Sequence, residues 1–257
     1  MNIDISQNAK ELGQAAGAAA AQIIREAIGS RGSANIVLAT GASQFGTLNQ
    51  LIAEKEIDWN KVSVFHLDEY IGLPITHPAS FRKYLHERFL SKLPSLKIAC
   101  LINGEADAKE ECDRLGSLIR KYAVDLALVG IGENGHLAFN DPPADFETEV
   151  PYIVVRLDEA CRRQQLGEGW FTSIEEVPDL AISMSIKQIL KSRHIICSVP
   201  DSRKAIAVRS ALEFVVSNLY PASILQSHNS CGLFLDIYSA ALLSASRIKK
   251  NDSQTDE

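Results

Sequence analysis

Two hydrophobic periods alternate along the chain. Short apolar runs at residues 35–39, 62–67, 126–129, 180–184, 194–199 and 232–236 read as strands, several buried on both faces. The stretches between them carry apolar residues at helical spacing. Leu12, Ala16, Ala20 and Ile24 mark a helix over 9–28, closed by Gly29. Further helices are predicted over 45–55, 80–90 with Ser80 as its cap, 106–122, 185–191, from the 201–204 turn to about 218, and 238–246. Residues 152–157 read as one more strand, and 160–171 hold too much glycine for one clean helix.

Strand and helix in alternation predict a three-layer α/β/α fold around a mostly parallel sheet with right-handed crossovers. No repeat or composition shift marks a linker in the 257 residues, so one domain over 1–249 with a polar tail over 250–257 is expected. A hydrophobic content of 46 % is ample for a core of that size.

Charge and cysteine usage narrow the function classes. A net charge of -6 without a basic block gives a nucleic-acid backbone nothing to bind. The five cysteines are odd in number, scattered and without C-x-x-C spacing, which argues against a disulfide framework and a zinc site. With no leader pattern at Met1 and no run of membrane-spanning length, the expected location is cytoplasmic.

Candidate chemistry sits at the ends of four predicted strands: Thr40, Gly41, Ala42 and Ser43; Asp68, Glu69 and Tyr70; residues 134–141; and residues 201–204. Open α/β sheets place their sites at that carboxyl edge. The small-residue turn at 40–43 leads into a helix, whose free N–H groups can hold one phosphate. It lacks the full dinucleotide or P-loop pattern. Lys204 reads either as a solvated lysine or as a point charge for the same phosphate. Asp68 reads as a turn cap or as an acid–base group, while Glu69 alternates to the other side of the chain. His136 follows a buried strand in a glycine-flanked loop, with Asp141 close enough to fix its tautomer; the other five histidines read as structural or solvated. No nucleophile elbow and no clustered metal ligands are present, which leaves proton transfer on a small phosphorylated molecule.

Two motifs then carry a resemblance. LDEYIGL at 67–73 and GIGENGHLAFNDP at 130–142 resemble the glucosamine-6-phosphate deaminase (isomerase) family, and the TGAS turn and DSRKA segment extend the likeness over nearly the whole chain. The related 6-phosphogluconolactonases share the G-x-G-x-x-G-H core but continue differently after the histidine. The resemblance implies a Rossmann-like fold, no cofactor and no metal. It implies conversion of glucosamine 6-phosphate to fructose 6-phosphate and ammonia, with galactosamine 6-phosphate or a lactone as alternative substrates and a non-enzymatic sugar-phosphate sensor as a further alternative. By position, Asp68 matches the base that moves a proton from C2 to C1, His136 the ring-opening residue, Asp141 its carboxylate partner, and Lys204 a phosphate ligand.

The departures set further expectations. Asn134 stands where the family often has aspartate, so Asp141 is expected to be essential and Asn134→Asp tolerated. Gln165 falls roughly where an arginine phosphate ligand is expected, with Arg162 or Arg163 as candidate substitutes. Residues 148–153 are acidic and apolar where regulated relatives are basic, so activation by N-acetylglucosamine 6-phosphate is not expected. The partner is a small phosphorylated amino sugar, and monomer or homo-oligomer stays open.

Overall fold

The computed structural model describes residues 1–245. The tail over 250–257 and the end of the helix expected at 238–246 lie outside the described residues.

Seven strands form one parallel sheet: β1 (Asn2–Ser6), β2 (Ala34–Leu38), β3 (Val62–His66), β5 (Ile98–Cys100), β6 (Leu126–Val129), β9 (His194–Val199) and β10 (Cys231–Asp236). A separate antiparallel sheet holds β4 (Asp68–Tyr70), β8 (Leu180–Met184) and β7 (Tyr152–Arg156). The helices are α1 (Ala9–Arg31), α2 (Phe45–Ala53), α3 (Phe81–Arg88), α4 (Ala108–Ile119), α5 (Glu159–Gly167), α6 (Ile186–Leu190) and α7 (Ala205–Glu213).

The large sheet runs in the order β1-β10-β9-β6-β2-β3-β5. After β1 at one edge, the chain builds outward from β2 through β3 to β5, then returns to the other side of β2 with β6. The crevice between β2 and β6 is therefore the switch point, where an open sheet binds its ligand. Register keeps the strand ends level: Leu38 pairs with both His66 and Leu128, and Val129 pairs with Cys197. The loops after β2, β3, β6 and β9 thus emerge side by side.

The two faces of this sheet are covered by different packing. On one, α1 and α2 bury Ala16, Ala20, Ile24, Leu48 and Leu51 against Ile36, Leu38 and Val64. On the other, α4 and α7 join a larger cluster that includes Phe65, Val129, Ile182 and Leu233. Each fully buried leucine, isoleucine or phenylalanine contributes about 1.5–3 kcal/mol relative to exposure. A third cluster, Tyr70, Phe81, Phe139 and Phe171, lies between the small sheet and the loop after β6.

Several expectations are corrected here. Helix α1 runs through Gly29 and stops at Gly32, whose φ of 77° is the left-handed cap that glycine adopts without strain. Residues 152–157 and 180–184 leave the parallel sheet. Alternating burial along β7 leaves one face toward solvent, which suits an antiparallel pair. Strand β1 is an edge strand with outward polar residues, and β5 has three residues, so neither presents an apolar run to read. Residues 159–167 do form a helix, since its glycines fall at the C-terminal end, and α7 ends at Glu213 rather than near 218. Residues 237–242 form turns instead of a last helix.

Candidate active site

All four predicted strand-end clusters reach one cavity of 430 Å³ at the carboxyl edge of the sheet. Thr40, Gly41, Ala42, Ser43, Asp68, His136 and Lys204 line it. Asn134 and Asp141 stand behind His136.

His136 is placed by its loop. Gly132 has no room for a side chain, because a Cβ there would lie 2.2 Å from His136 Cε1, so the imidazole rests directly on the glycine backbone. The loop is tied to β8 from the far side: Asn140 Nδ2 donates to the carbonyls of Leu137 (2.8 Å) and Met184 (2.9 Å), and Phe139 N–H donates to Ser183 Oγ (3.1 Å). Between them Ala138 takes a left-handed φ of 51°, a conformation this pinning maintains. The Pro142–Pro143 bond is cis.

His136 Nδ1 lies 3.1 Å from Asp141 Oδ1, and both side chains are less than 10 % exposed. Burial alone would raise the Asp141 pKa. Hydrogen bonds from His136, from Asn134 Nδ2 (2.8 Å) and from the Asp158 N–H (3.0 Å) outweigh it and hold the carboxyl below its ordinary value. The carboxylate fixes the ring so that Nε2 is the nitrogen left for chemistry. Cys161 completes a group with His136 and Asp141 whose N, O and S ligand atoms all lie within 4.8 Å, the one such group among the described residues. Sequence spacing gave no sign of it, since Cys161 comes from α5. Its thiol hydrogen-bonds Asp141, and burial pushes its pKa well up.

Asp68 sits in the opposite environment. It opens β4 and is 6 % exposed, and its Oδ1 has no hydrogen-bond partner among the described residues. Burial first, and the neighbouring Glu69 charge second, raise its pKa to about 8. Glu69 points the other way, as alternation predicts. It accepts from Ser80 Oγ (3.1 Å) and from the N–H groups of Phe81 (3.1 Å) and Arg82 (2.7 Å), so it closes the N-terminus of α3. His66 is fully buried below the site, and burial lowers its pKa to about 3, which keeps it neutral.

The remaining end of the cavity suits an anion. Gly41, at φ 91°, turns the chain into a single 3-10 turn and then α2, while Lys204 stands at the start of α7. Two helix N-termini and one ammonium converge there. Thr40 Oγ1 is buried without a partner among the described residues. Burial lowers the Lys204 pKa, and Glu168 and Glu133 act against that shift.

Neither arginine expected to replace the missing phosphate ligand faces the cavity. Arg162 donates to the carbonyls of Ile174 and Val177 and pairs with Asp179, and the exposed Arg163 pairs with Glu159 one turn back. The second cation on the cavity wall is Arg203, held by Asp201 Oδ2 at 2.9 Å and near Glu133 at 3.4 Å. Its place beside Lys204 in the DSRKA segment was the available signal. Gln165 does line the cavity, accepting from Tyr70 Oη at 2.7 Å. Glu168, not anticipated, brings a carboxylate to within 3.9 Å of the Cβ position of Gly41. It is held by Gln164 Nε2 (2.9 Å) and Trp170 Nε1 (3.3 Å).

The contacts of Asn134 argue against the expectation that Asn134→Asp is tolerated. The Asn134 amide nitrogen donates to Asp141 and to Asp158 at 2.8 and 3.0 Å, and its oxygen accepts from the His136 N–H at 3.1 Å. A third carboxylate at that point would face two others with no donor between them.

The chain that folds around this cavity has relatives among known proteins. The chain is 36 % identical over 245 residues to the glucosamine-6-phosphate deaminase of Oenococcus oeni, covering 95 % of this chain and 99 % of that one. It is 35 % identical over 209 residues to the deaminase of Exiguobacterium sibiricum, covering 81 % of each. Among solved structures, a monomeric glucosamine-6-phosphate deaminase superposes with a TM-score of 0.85 at 33 % identity, over 95 % of this chain and 100 % of that one. The 6-phosphogluconolactonase of Trypanosoma brucei has a TM-score of 0.77 at 18 % identity, over 95 % and 98 %, a likeness of fold alone. The family model described as glucosamine-6-phosphate isomerases/6-phosphogluconolactonase matches residues 7–233, and the chain belongs to that family.

Proposed function

We propose that the protein is a glucosamine-6-phosphate deaminase, converting glucosamine 6-phosphate and water to fructose 6-phosphate and ammonia. The observation that carries this reading is that Asp68 and His136 share one cavity with the anion end at Lys204. Lactone hydrolysis needs one base to activate water. An aldose–ketose shift needs a second group that moves a proton between neighbouring carbons, and Asp68 supplies it.

With the phosphate against the 40–43 turn, Lys204 and Arg203, the sugar lies toward His136 and Asp68. His136, oriented by Asp141, relays a proton between O5 and O1 and opens the ring. Asp68, ionised, then takes the proton from C2 and returns it to C1 through an enediol-like amine. The imine left at C2 is hydrolysed by water, which releases ammonia. A carboxyl whose pKa lies near 8 is, once ionised, a stronger base than an ordinary carboxylate, which suits taking a proton from carbon and handing it on.

The functional unit is read as one domain over 1–249 with a polar tail over 250–257. Five free, buried cysteines suit a reducing cytoplasm. Activation by N-acetylglucosamine 6-phosphate is not expected. Glu149 in the relevant segment is already paired with Lys187 and Lys191, so those cations are engaged. The test is ammonia release from glucosamine 6-phosphate and its galacto epimer, with Asp68→Asn as control. Turnover of the gluco epimer, lost in the variant, is expected. Hydrolysis of a 6-phosphogluconolactone without ammonia release from either amino sugar would overturn the reading.

A further inference from the structure

Behind the His136–Asp141 pair lies a second carboxylate that the proposed reaction does not use directly. Asp158 Oδ2 accepts from Asn134 Nδ2 at 3.0 Å, its own N–H donates to Asp141 Oδ2 at 3.0 Å, and its Oδ1 accepts from the Cys161 N–H at 2.6 Å. It is therefore at once the N-cap of α5 and a neighbour of Asp141 on two sides.

The direction of these bonds matters more than their number. An amide nitrogen has two hydrogens, and Asn134 gives one to each carboxylate. Its oxygen meanwhile takes the His136 N–H. Asp158, with Asp141 and the His136 N–H, thus fixes which way the Asn134 amide faces, since only the observed orientation presents hydrogens to both acids. Turned over, the amide would put its oxygen against Asp141 and its nitrogen against a backbone donor.

We infer that Asp158 is a positioning residue for His136, acting through Asn134. It helps fix the amide that holds Asp141, and it brings a negative charge three hydrogen bonds from the imidazole, through Asn134 and Asp141. Position 134 lacks that charge, so the acid is supplied from α5 instead. This rests on the deaminase reading only for its activity readout.

The inference is tested with Asp158→Asn, Asn134→Asp and the double variant, comparing kcat, KM and Tm. The side chain in Asp158→Asn still offers an oxygen to cap α5, so Tm is expected to stay within about 2 °C of the parent. Its amide would meet the Asn134 amide donor to donor, and kcat is expected to fall about tenfold with KM changed less than about twofold. In the Asn134→Asp background the same change replaces a carboxylate contact with a donor, so Asp158→Asn is expected to raise kcat there. Opposite signs in the two backgrounds establish coupling through position 134. Equal effects in both, or none in either, would overturn it and leave Asp158 a helix cap only. A second readout does not depend on turnover: the His136 Nδ1 proton resonance should move in Asp158→Asn and return toward its parent position in the double variant. If the parent protein released no ammonia, the reaction reading would fall, and an unmoved resonance would separately refute the role of Asp158.

Discussion

Asp68 and Asp141 are two aspartates at the proposed active site, each with little solvent contact, and their surroundings drive them apart. Asp141 receives hydrogen bonds from His136, Asn134 and the Asp158 backbone, and it is held ionised below its ordinary pKa. Asp68 leaves Oδ1 without a partner among the described residues, beside the Glu69 charge, and its pKa climbs to about 8. The lesson is that donors, not burial, separate an orienting carboxylate from a proton carrier. A carboxylate with every lone pair engaged cannot collect a proton from carbon, whereas one with an empty lone pair can.

Removing the proton carrier tests the comparison most severely. Asp68→Asn is expected to lower kcat by about a thousandfold. It should also stabilise the fold in a pH-dependent way. The folded state keeps a proton on Asp68 between its ordinary pKa of 3.8 and about 8, where the unfolded chain has lost it, so Asp68 costs stability increasingly across that window. The Tm gain of the variant should therefore grow from about pH 4 to about pH 8. A flat difference would mean that Asp68 titrates normally. For the parent, kcat/KM should rise with pH up to about 8 as Asp68 ionises.

Asp141→Asn should lower kcat by about a hundredfold, with the opposite signature in stability. Its carboxylate stabilises the fold above the ordinary pKa and loses that contribution as pH falls through the lower folded value. The Tm loss of the variant should accordingly be full at about pH 7 and shrink below about pH 4. Matched Tm profiles for the two asparagine variants would abolish the contrast.

The anion end gives smaller effects. Lys204→Ala should raise KM about tenfold with a lesser change in kcat, and Arg203→Ala should do the same more weakly. Arg162→Ala, whose guanidinium binds the carbonyls of Ile174 and Val177, should alter stability and leave KM near the parent value. The smallest shift is expected at Glu168. Its carboxylate opposes a phosphate at Gly41, so Glu168→Gln should lower KM about threefold. A rise in KM instead would assign Glu168 to the sugar hydroxyls.

How the contrast was prepared could be read unevenly along the chain. The strand runs at 126–129 and 62–67 and the residues that follow them were legible because both strands are central and buried on both faces, so their apolar runs are continuous. The half-exposed β1 and the three-residue β5 carried no such signal. Glycines at 167 and 169 suggested a broken helix, while in the fold they terminate α5 after its cap at Asp158. That error concealed Asp158, Gln164 and Glu168, which reach the site only because α5 packs beside the loop after β6. The arginine assignment failed for a related reason: nearness in sequence to Gln165 says nothing of which way a helical side chain points. Arg162 turns toward the 174–177 segment and Arg163 toward solvent.

By itself the sequence determined the α/β alternation, the strand-end positions of Asp68, His136 and Lys204, and the small-residue turn at 40–43, because periodicity and turn chemistry are local properties. Only the tertiary structure decided which carboxyl keeps an empty lone pair and which is saturated with donors. It also decided that the second cation is Arg203, and that Asn134 is a bridge between two acids rather than the lack of one. Those outcomes depend on groups brought together from distant parts of the chain, as Asp158 at the start of α5 meets Asn134 after β6. Hydrogen-bond direction and burial exist only once that meeting has taken place.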